Sequence, residues 1–166
     1  MIRSRLALTA LTLLLAACGS GTEAPTTEEW LGLGQERLHC RHKTDKVAMI
    51  ENVRHDVDGD GTAEWFVTFR CEGQAAQVEV YAGDADPVES APTETLVYNN
   101  DYDHGRELNL DAGCIYFTGK RVIIRGHQFR EPKRPILRVV AWNDKDFADP
   151  QPDIVSAEEF EFPGCD

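Results

Sequence analysis

Basic residues are the scarce class in this chain. Seventeen Lys and Arg face 29 Asp and Glu, for a formal charge of −12. A surface of that sign is repelled by nucleic-acid phosphates and by anionic lipid alike, so nucleic acid is excluded as a partner. Long apolar runs are missing as well. The longest, Leu6 to Ala17, has twelve residues, against the roughly 20 that a membrane-spanning helix needs. Serine is sparse after this run: only Ser20, Ser90 and Ser156 remain, none within Gly-x-Ser-x-Gly, so the hydrolase nucleophile elbow is absent. His39, His42, His55, His104 and His127 are scattered and form no His-Glu-x-x-His, which removes the zinc-protease helix. No helix-period segment is long enough to supply the crossovers of a parallel sheet. What is present is 42% apolar and 28% charged over 166 residues, enough for one folded domain and too apolar for wholesale disorder.

The N-terminus reads as an export signal. Arg3 and Arg5 precede the twelve-residue apolar core, a length that suits a signal peptide. The core ends Leu15-Ala16-Ala17-Cys18, which resembles the bacterial lipobox. That resemblance implies diacylglyceryl transfer to the Cys18 sulfur, cleavage before it, and anchoring to the membrane by the acyl chains, palmitate included. Cleavage removes two positive charges and takes the chain from −12 to −14. No twin-arginine pair is present, which points to export in an unfolded state. Residues 18–29 are rich in Gly, Ser, Thr, Pro and Glu and read as the lipidated cysteine with a flexible tether. A single extracytoplasmic domain is expected over residues 30–166.

Four cysteines follow the anchor: Cys40, Cys71, Cys114 and Cys165. In an oxidising compartment an even set implies disulfides, with three pairings open. Proximity in the chain favours Cys40–Cys71 and Cys114–Cys165, each worth about 3–4 kcal/mol in the loop-entropy model. The competing reading is a metal site at His39-Cys40-Arg41-His42, which lacks a Cys-x-x-Cys or a second ligand pair at a recognised spacing.

The domain reads as mainly β, an antiparallel meander or small sandwich with one or two short N-terminal helices. Glu28-Glu29-Trp30-Leu31 opens a helix with Thr27 as its cap, weakened by Gly32 and Gly34 at about 1 kcal/mol each. From Trp65 the period changes to two. Strands are expected at Trp65–Arg70, Gln77–Tyr81, Thr95–Tyr98, Cys114–Phe117, Arg121–Arg125 and Ile136–Trp142. Glu72-Gly73-Gln74 and Thr118-Gly119-Lys120 read as turns, and Gly83 to Pro92 as an acidic loop.

One motif carries chemistry. His55-Asp56-Val57-Asp58-Gly59-Asp60-Gly61-Thr62-Ala63-Glu64 holds carboxylates at loop positions 1, 3, 5 and 9, with Gly61 at the sharp turn. Calcium takes 6–8 oxygens at about 2.4 Å, and alternate residues of a tight loop converge on one centre. Asp56, Asp58, Asp60, Glu64 and the Thr62 carbonyl are the expected ligands, and the ion would be structural because a full oxygen cage leaves no open position. The other reading is a surface turn in which the aspartates cap backbone N–H groups. An EF-hand would place Glu at position 12, where Val67 stands. The loop instead resembles the nine-residue calcium loops of FG-GAP or VCBS repeats, whose Asp-x-Asp-x-Asp-Gly-x-x-Asp/Glu pattern leads straight into a strand. The match covers Asp56 to about Val67 without a second copy, so no propeller is implied. Asn99-Asn100-Asp101-Tyr102-Asp103 is a second oxygen-rich stretch with the wrong spacing, read as a solvated loop.

A wider pattern joins Cys40, the Asp56–Gly61 loop, Trp65 to Cys71 and Val78-Glu79-Val80-Tyr81. It looks like small lipoproteins of actinobacteria, a group in which one member restrains a cell-envelope-stress two-component system. The resemblance implies a binding or regulatory part of the envelope. Three functions follow: a module docking an envelope protein, a calcium-dependent adhesion or wall-associated module, and an envelope hydrolase using a carboxylate pair. No enzyme is assigned. Arg121, Arg125, Arg130, Lys133, Arg134 and Arg138 gather basic charge late in the chain, for cross-strand pairing with acids or for an acidic partner.

Overall fold

Thr26 begins the first element. The structure is a computed structural model that describes residues 24–38, 40, 42, 44–98, 110–128, 135–148 and 154–155. Helix α1 spans Thr27–Arg37 with Thr26, not Thr27, as its N-cap. The reason is the spacing. A capping box needs Glu or Gln three residues after the cap: from Thr26 that position is Glu29, whereas from Thr27 it is Trp30. Thr26 Oγ1 accepts the Glu29 N–H at 3.3 Å, and Glu29 Oε2 accepts the Thr26 N–H at 2.7 Å. The bond from the Thr26 N–H, then one from the Thr26 hydroxyl to Glu29 Oε2 at 2.8 Å, hold the Glu29 carboxyl below its ordinary pKa. Helix α1 and its cap therefore begin inside the stretch expected to be tether. Trp30, Leu33, Gly34 and Leu38 are buried, the i, i+3, i+4, i+8 stripe of a helix laid on a sheet. That packing overrides the low propensity of Gly32 and Gly34.

Two antiparallel sheets follow. The first contains β1 (Val47–His55), β2 (Glu64–Cys71), β3 (Ala76–Tyr81) and β4 (Glu94–Val97), paired in sequence order. The second contains β5 (Leu110–Thr118), β6 (Arg121–Gln128), β7 (Pro135–Trp142) and β8 (Phe147–Ala148) in order, with β9 (Ile154–Val155) also on β7. All six expected strands are present; β2, β3, β4 and β7 match to within a residue at their ends, whereas β5 starts four residues earlier than expected and β6 ends three residues later. Strands β1, β8 and β9 are additions, and β1 is the long one. A register shift between Met49 and Glu51 leaves Ile50 38% exposed, so its sequence does not alternate cleanly. A bulge hides a strand from a period-two reading.

The layers are helix, sheet, sheet. Phe66, Val78, Val80 and Val97 from the first sheet meet Ile115, Val122, Ile124 and Val140 from the second in one core. On the opposite face of the first sheet, Trp30 and Leu33 of α1 and its C-cap Leu38 cover Trp65, Val67, Phe69 and Tyr81. Both faces of β3 are thus covered and all six of its residues are buried. Its alternating Gln77, Glu79 and Tyr81 lie in this helix-side layer. They satisfy one another: Gln77 Nε2 donates to Glu79 Oε1 at 2.6 Å, and the Tyr81 hydroxyl donates to Glu79 Oε2. Burial, then the Glu79 carboxyl, push the Tyr81 hydroxyl pKa far up. The Cys40–Cys71 disulfide, Cα atoms 5.6 Å apart across 31 residues, ties the segment after α1 to the end of β2. This agrees with the expected pairing and takes Cys40 out of the His39–His42 metal reading.

Three side chains of the first sheet bond backbone of the second. Glu51 Oε2 accepts the Ile115 N–H at 3.0 Å, and Arg70 Nη2 donates to the Ala112 carbonyl at 3.3 Å. His55 Nε2 lies 3.2 Å from the Gly119 carbonyl oxygen, which calls for the N–H on that nitrogen. The His55 ring also stacks on Phe117, centroids 4.2 Å apart.

Candidate functional site

The acidic loop connects β1 to β2, and its backbone is shaped by its own aspartates. Asp56 Oδ1 accepts the Gly59 N–H at 2.7 Å and its Oδ2 the Gly61 N–H at 3.0 Å. Asp58 accepts from Asp60 at 2.9 Å and Asp60 from Thr62 at 2.7 Å. Gly59 and Gly61 sit at φ +84° and +92°, a region open to glycine at little cost. The turn reading is therefore correct for the backbone.

The carboxylates nonetheless converge. One oxygen each from Asp56, Asp58 and Glu64 lie within 4.8 Å of one another. Oxygens on opposite sides of a calcium ion at about 2.4 Å are roughly 4.8 Å apart, so the spacing of this trio fits the span of one coordination sphere. Asp60 is not among these converging carboxylates; its Oδ1 accepts the Thr62 N–H. Glu64 also accepts the Val57 N–H at 3.0 Å, closing the loop across its base. Burial holds the Glu64 carboxyl above its ordinary pKa, the Val57 bond and a Glu64 backbone bond draw it back, and the charges of Asp58 and Asp60 add to the rise. A divalent cation would relieve that repulsion.

Two residues that sequence reasoning missed position the loop. Arg54 donates to the Ala63 carbonyl at 3.2 and 2.8 Å and to the Gly83 carbonyl at 3.2 Å, with its guanidinium 4.6 Å over the Trp65 ring. Gly83 lets the two backbones meet, since a Cβ there would lie 2.1 Å from the Ala63 oxygen. Arg54 is nine and 29 residues from its acceptors, a closure invisible to local pattern.

Beside the loop, the ends of β2, β3, β4 and β7 and the start of β8 enclose a cavity of about 300 Å³. Asp58, Asp60, Thr62 and Glu64 contribute to its lining, as do Trp142 and Phe147.

The remaining expectations divide. Cys114 is disulfide-bonded, while Cys18 and Cys165 lie outside the described residues. So do His39, His104, Ser20, Ser156, the Asn99–Asp103 stretch, Arg130, Lys133 and Arg134. Register pairs Arg125 with Leu137 and Ile124 with Arg138, so Arg121 and Arg125 share one face of the second sheet and Arg138 lies on the other. These arginines do not form a single patch. Among the described residues, no helix is long and apolar enough to cross a membrane. No protein-family model, curated protein or solved structure matches the chain.

Proposed function

We propose that the chain is a membrane-anchored extracytoplasmic lipoprotein whose β-domain is a binding or regulatory module of the cell envelope, stabilised by calcium at the β1–β2 loop. The observation that carries the calcium part is the convergence of Asp56, Asp58 and Glu64. Their hard carboxylate oxygens would hold the ion, which would neutralise like charge and join the end of β1 to the start of β2. The envelope location rests on the Leu15–Cys18 lipobox and draws support from the Cys40–Cys71 disulfide, a bond that persists in oxidising compartments.

Anchoring restricts the partner. Seven residues lie between Cys18 and the Thr26 cap, a span of eight Cα steps. At 3.3–3.6 Å per residue they reach at most about 30 Å. The partner is therefore an envelope protein or wall component near the membrane.

Thermal unfolding of residues 19–166 in millimolar calcium and again in EDTA tests the ion. A site saturated at 100 times its Kd adds about 2.7 kcal/mol, a rise of several degrees in Tm. The rise should vanish in Asp58→Asn combined with Glu64→Gln. Coincident curves across a calcium titration would reduce the loop to a turn. Fractionation of cells carrying Cys18→Ala tests the anchor, which predicts loss from the membrane fraction.

A further inference from the structure

The cavity differs in character from the loop that borders it. Its floor is hydrocarbon: Val57 and Val80 are 2% and 1% exposed. Trp142 and Phe147 make an aromatic wall as an edge-to-face pair with centroids 5.2 Å apart. The turn joining these two residues is braced. Asn143 Oδ1 accepts the N–H groups of Lys145 and Asp146 at 3.1 and 3.0 Å, the Asn143 N–H donates to the Asp146 carbonyl at 3.0 Å, and Lys120 pairs with Asp144. The wall is thus held in place without a ligand, which lowers the cost of ordering a site on binding.

The lining is strongly one-signed. Asp58, Asp60, Glu64, Asp84, Glu94 and Asp146 contribute to it, and among the described residues Lys145 is the only basic one there. Carboxylates around a low-dielectric cleft focus the field and concentrate cations. An anionic ligand would be repelled. A bare metal ion would leave the apolar floor and the aromatic wall unused. A volume of about 300 Å³ falls at the small end of ligand sites, which combine an apolar lining with a few placed polar groups.

We propose that this cavity binds a small organic amine in its protonated form, one that carries an aromatic or aliphatic group. The hydrocarbon part lies on Val57 and Val80 against the Trp142 ring, and the ammonium group faces Glu94 and Asp146. The aromatic face adds cation–π attraction. The proposal rests on reading the domain as a binding module and names the class of ligand it takes.

Titration of the folded, ¹⁵N-labelled domain with tryptamine, followed by amide shifts in EDTA at low salt, tests it. Tryptophol, in which a hydroxyl of the same size replaces the ammonium group, is the uncharged comparison. Tryptamine should shift residues around Trp142 and Phe147, and the neutral analogue should bind about tenfold more weakly or worse, the loss that follows removal of a charged hydrogen-bonding partner. Asp146→Asn with Glu94→Gln should produce a similar loss while leaving the calcium-dependent rise in Tm intact, because neither residue belongs to the Asp56–Asp58–Glu64 group. Equal binding of the two compounds, unchanged affinity in the double variant, or no shift with tryptamine would each overturn the proposal. Tm with and without calcium, read on the same samples, separates that failure from failure of the module itself: a domain that responds to calcium and ignores tryptamine rejects only the ligand class.

Discussion

Two glycines of α1 that look alike in sequence have opposite roles. Gly32 is exposed, and a Cβ added to it would meet nothing within 4 Å. A Cβ at Gly34 would lie 2.8 Å from Phe69 Cδ1 and 2.9 Å from Val47 Cγ1. Helix propensity alone assigns both a cost of about 1 kcal/mol relative to Ala. Packing separates them. Gly32→Ala should stabilise the domain by up to about 1 kcal/mol, through propensity and a less flexible unfolded chain. Gly34→Ala should destabilise it by about 1–3 kcal/mol, because the helix must lift or Phe69 must leave its rotamer. Denaturant melts of the two single variants check this. Equal stabilisation by both would mean that α1 is not seated on β2 as described. The same separation applies to Gly83, where the neighbour is the Ala63 backbone oxygen and a methyl group has no room.

Among the elements, the link from β1 to β5 is sensitive to pH. Burial raises the Glu51 carboxyl above its ordinary pKa, and the bond from the Ile115 N–H only partly opposes this. Folding therefore favours protonated Glu51. That contribution is complete below the unfolded value of about 4.3 and is lost as pH rises through the folded value. At pH 7 the ionised carboxylate carries a desolvation cost. Glu51→Gln keeps an oxygen for the Ile115 N–H and removes the charge. The variant should thus melt above the wild type at pH 7, and the gap should narrow as pH falls through the raised folded value and close below about 4.3. Tm measured across pH 3.5–8 reads both. A variant that melts lower at pH 7, by an amount independent of pH, would show that the charge strengthens the bond by more than its burial costs. Glu51 also illustrates what the sequence conceals. Strands β2, β5, β6 and β7 were legible because apolar β-branched and aromatic residues cluster between turn signals. Strand β1 was not, since its bulge breaks the alternation, and its partner for Glu51 lies 64 residues away. The site was legible to the same depth. Local spacing singled out the loop and three of its converging oxygens, while Arg54, Gly83 and the cavity wall at Trp142 and Phe147 depend on closures that no local period encodes.

The molecule is assembled from two local meanders, one within residues 47–97 and the other within residues 110–155. That topology alone would allow two independent folding units. The cores argue otherwise. The first sheet has two apolar layers, one shared with the second sheet and one beneath α1, whereas among the described residues the buried clusters include the second sheet only in the shared layer. Phe66 lies at its junction, fully buried, with ring centroids 4.9 Å from Phe117 and 6.3 Å from Phe147. Phe66→Ala should cost about 3–5 kcal/mol, a transfer loss plus a cavity that rigid strands cannot collapse. Its distribution is the informative part. If the shared core makes the two sheets one cooperative unit, hydrogen exchange of the slowest amides in β3 and in β6 should lose protection by the same free energy. Loss confined to β3 would show that β6 opens on its own. A common loss would instead mean that the loop between β1 and β2, the cavity and the Trp142–Phe147 wall belong to one rigid body. An ion held at the loop would then stabilise the second sheet as well as the first, so calcium in EDTA-stripped protein should protect β6 amides although the converging carboxylates all belong to the first sheet and the loop that enters it.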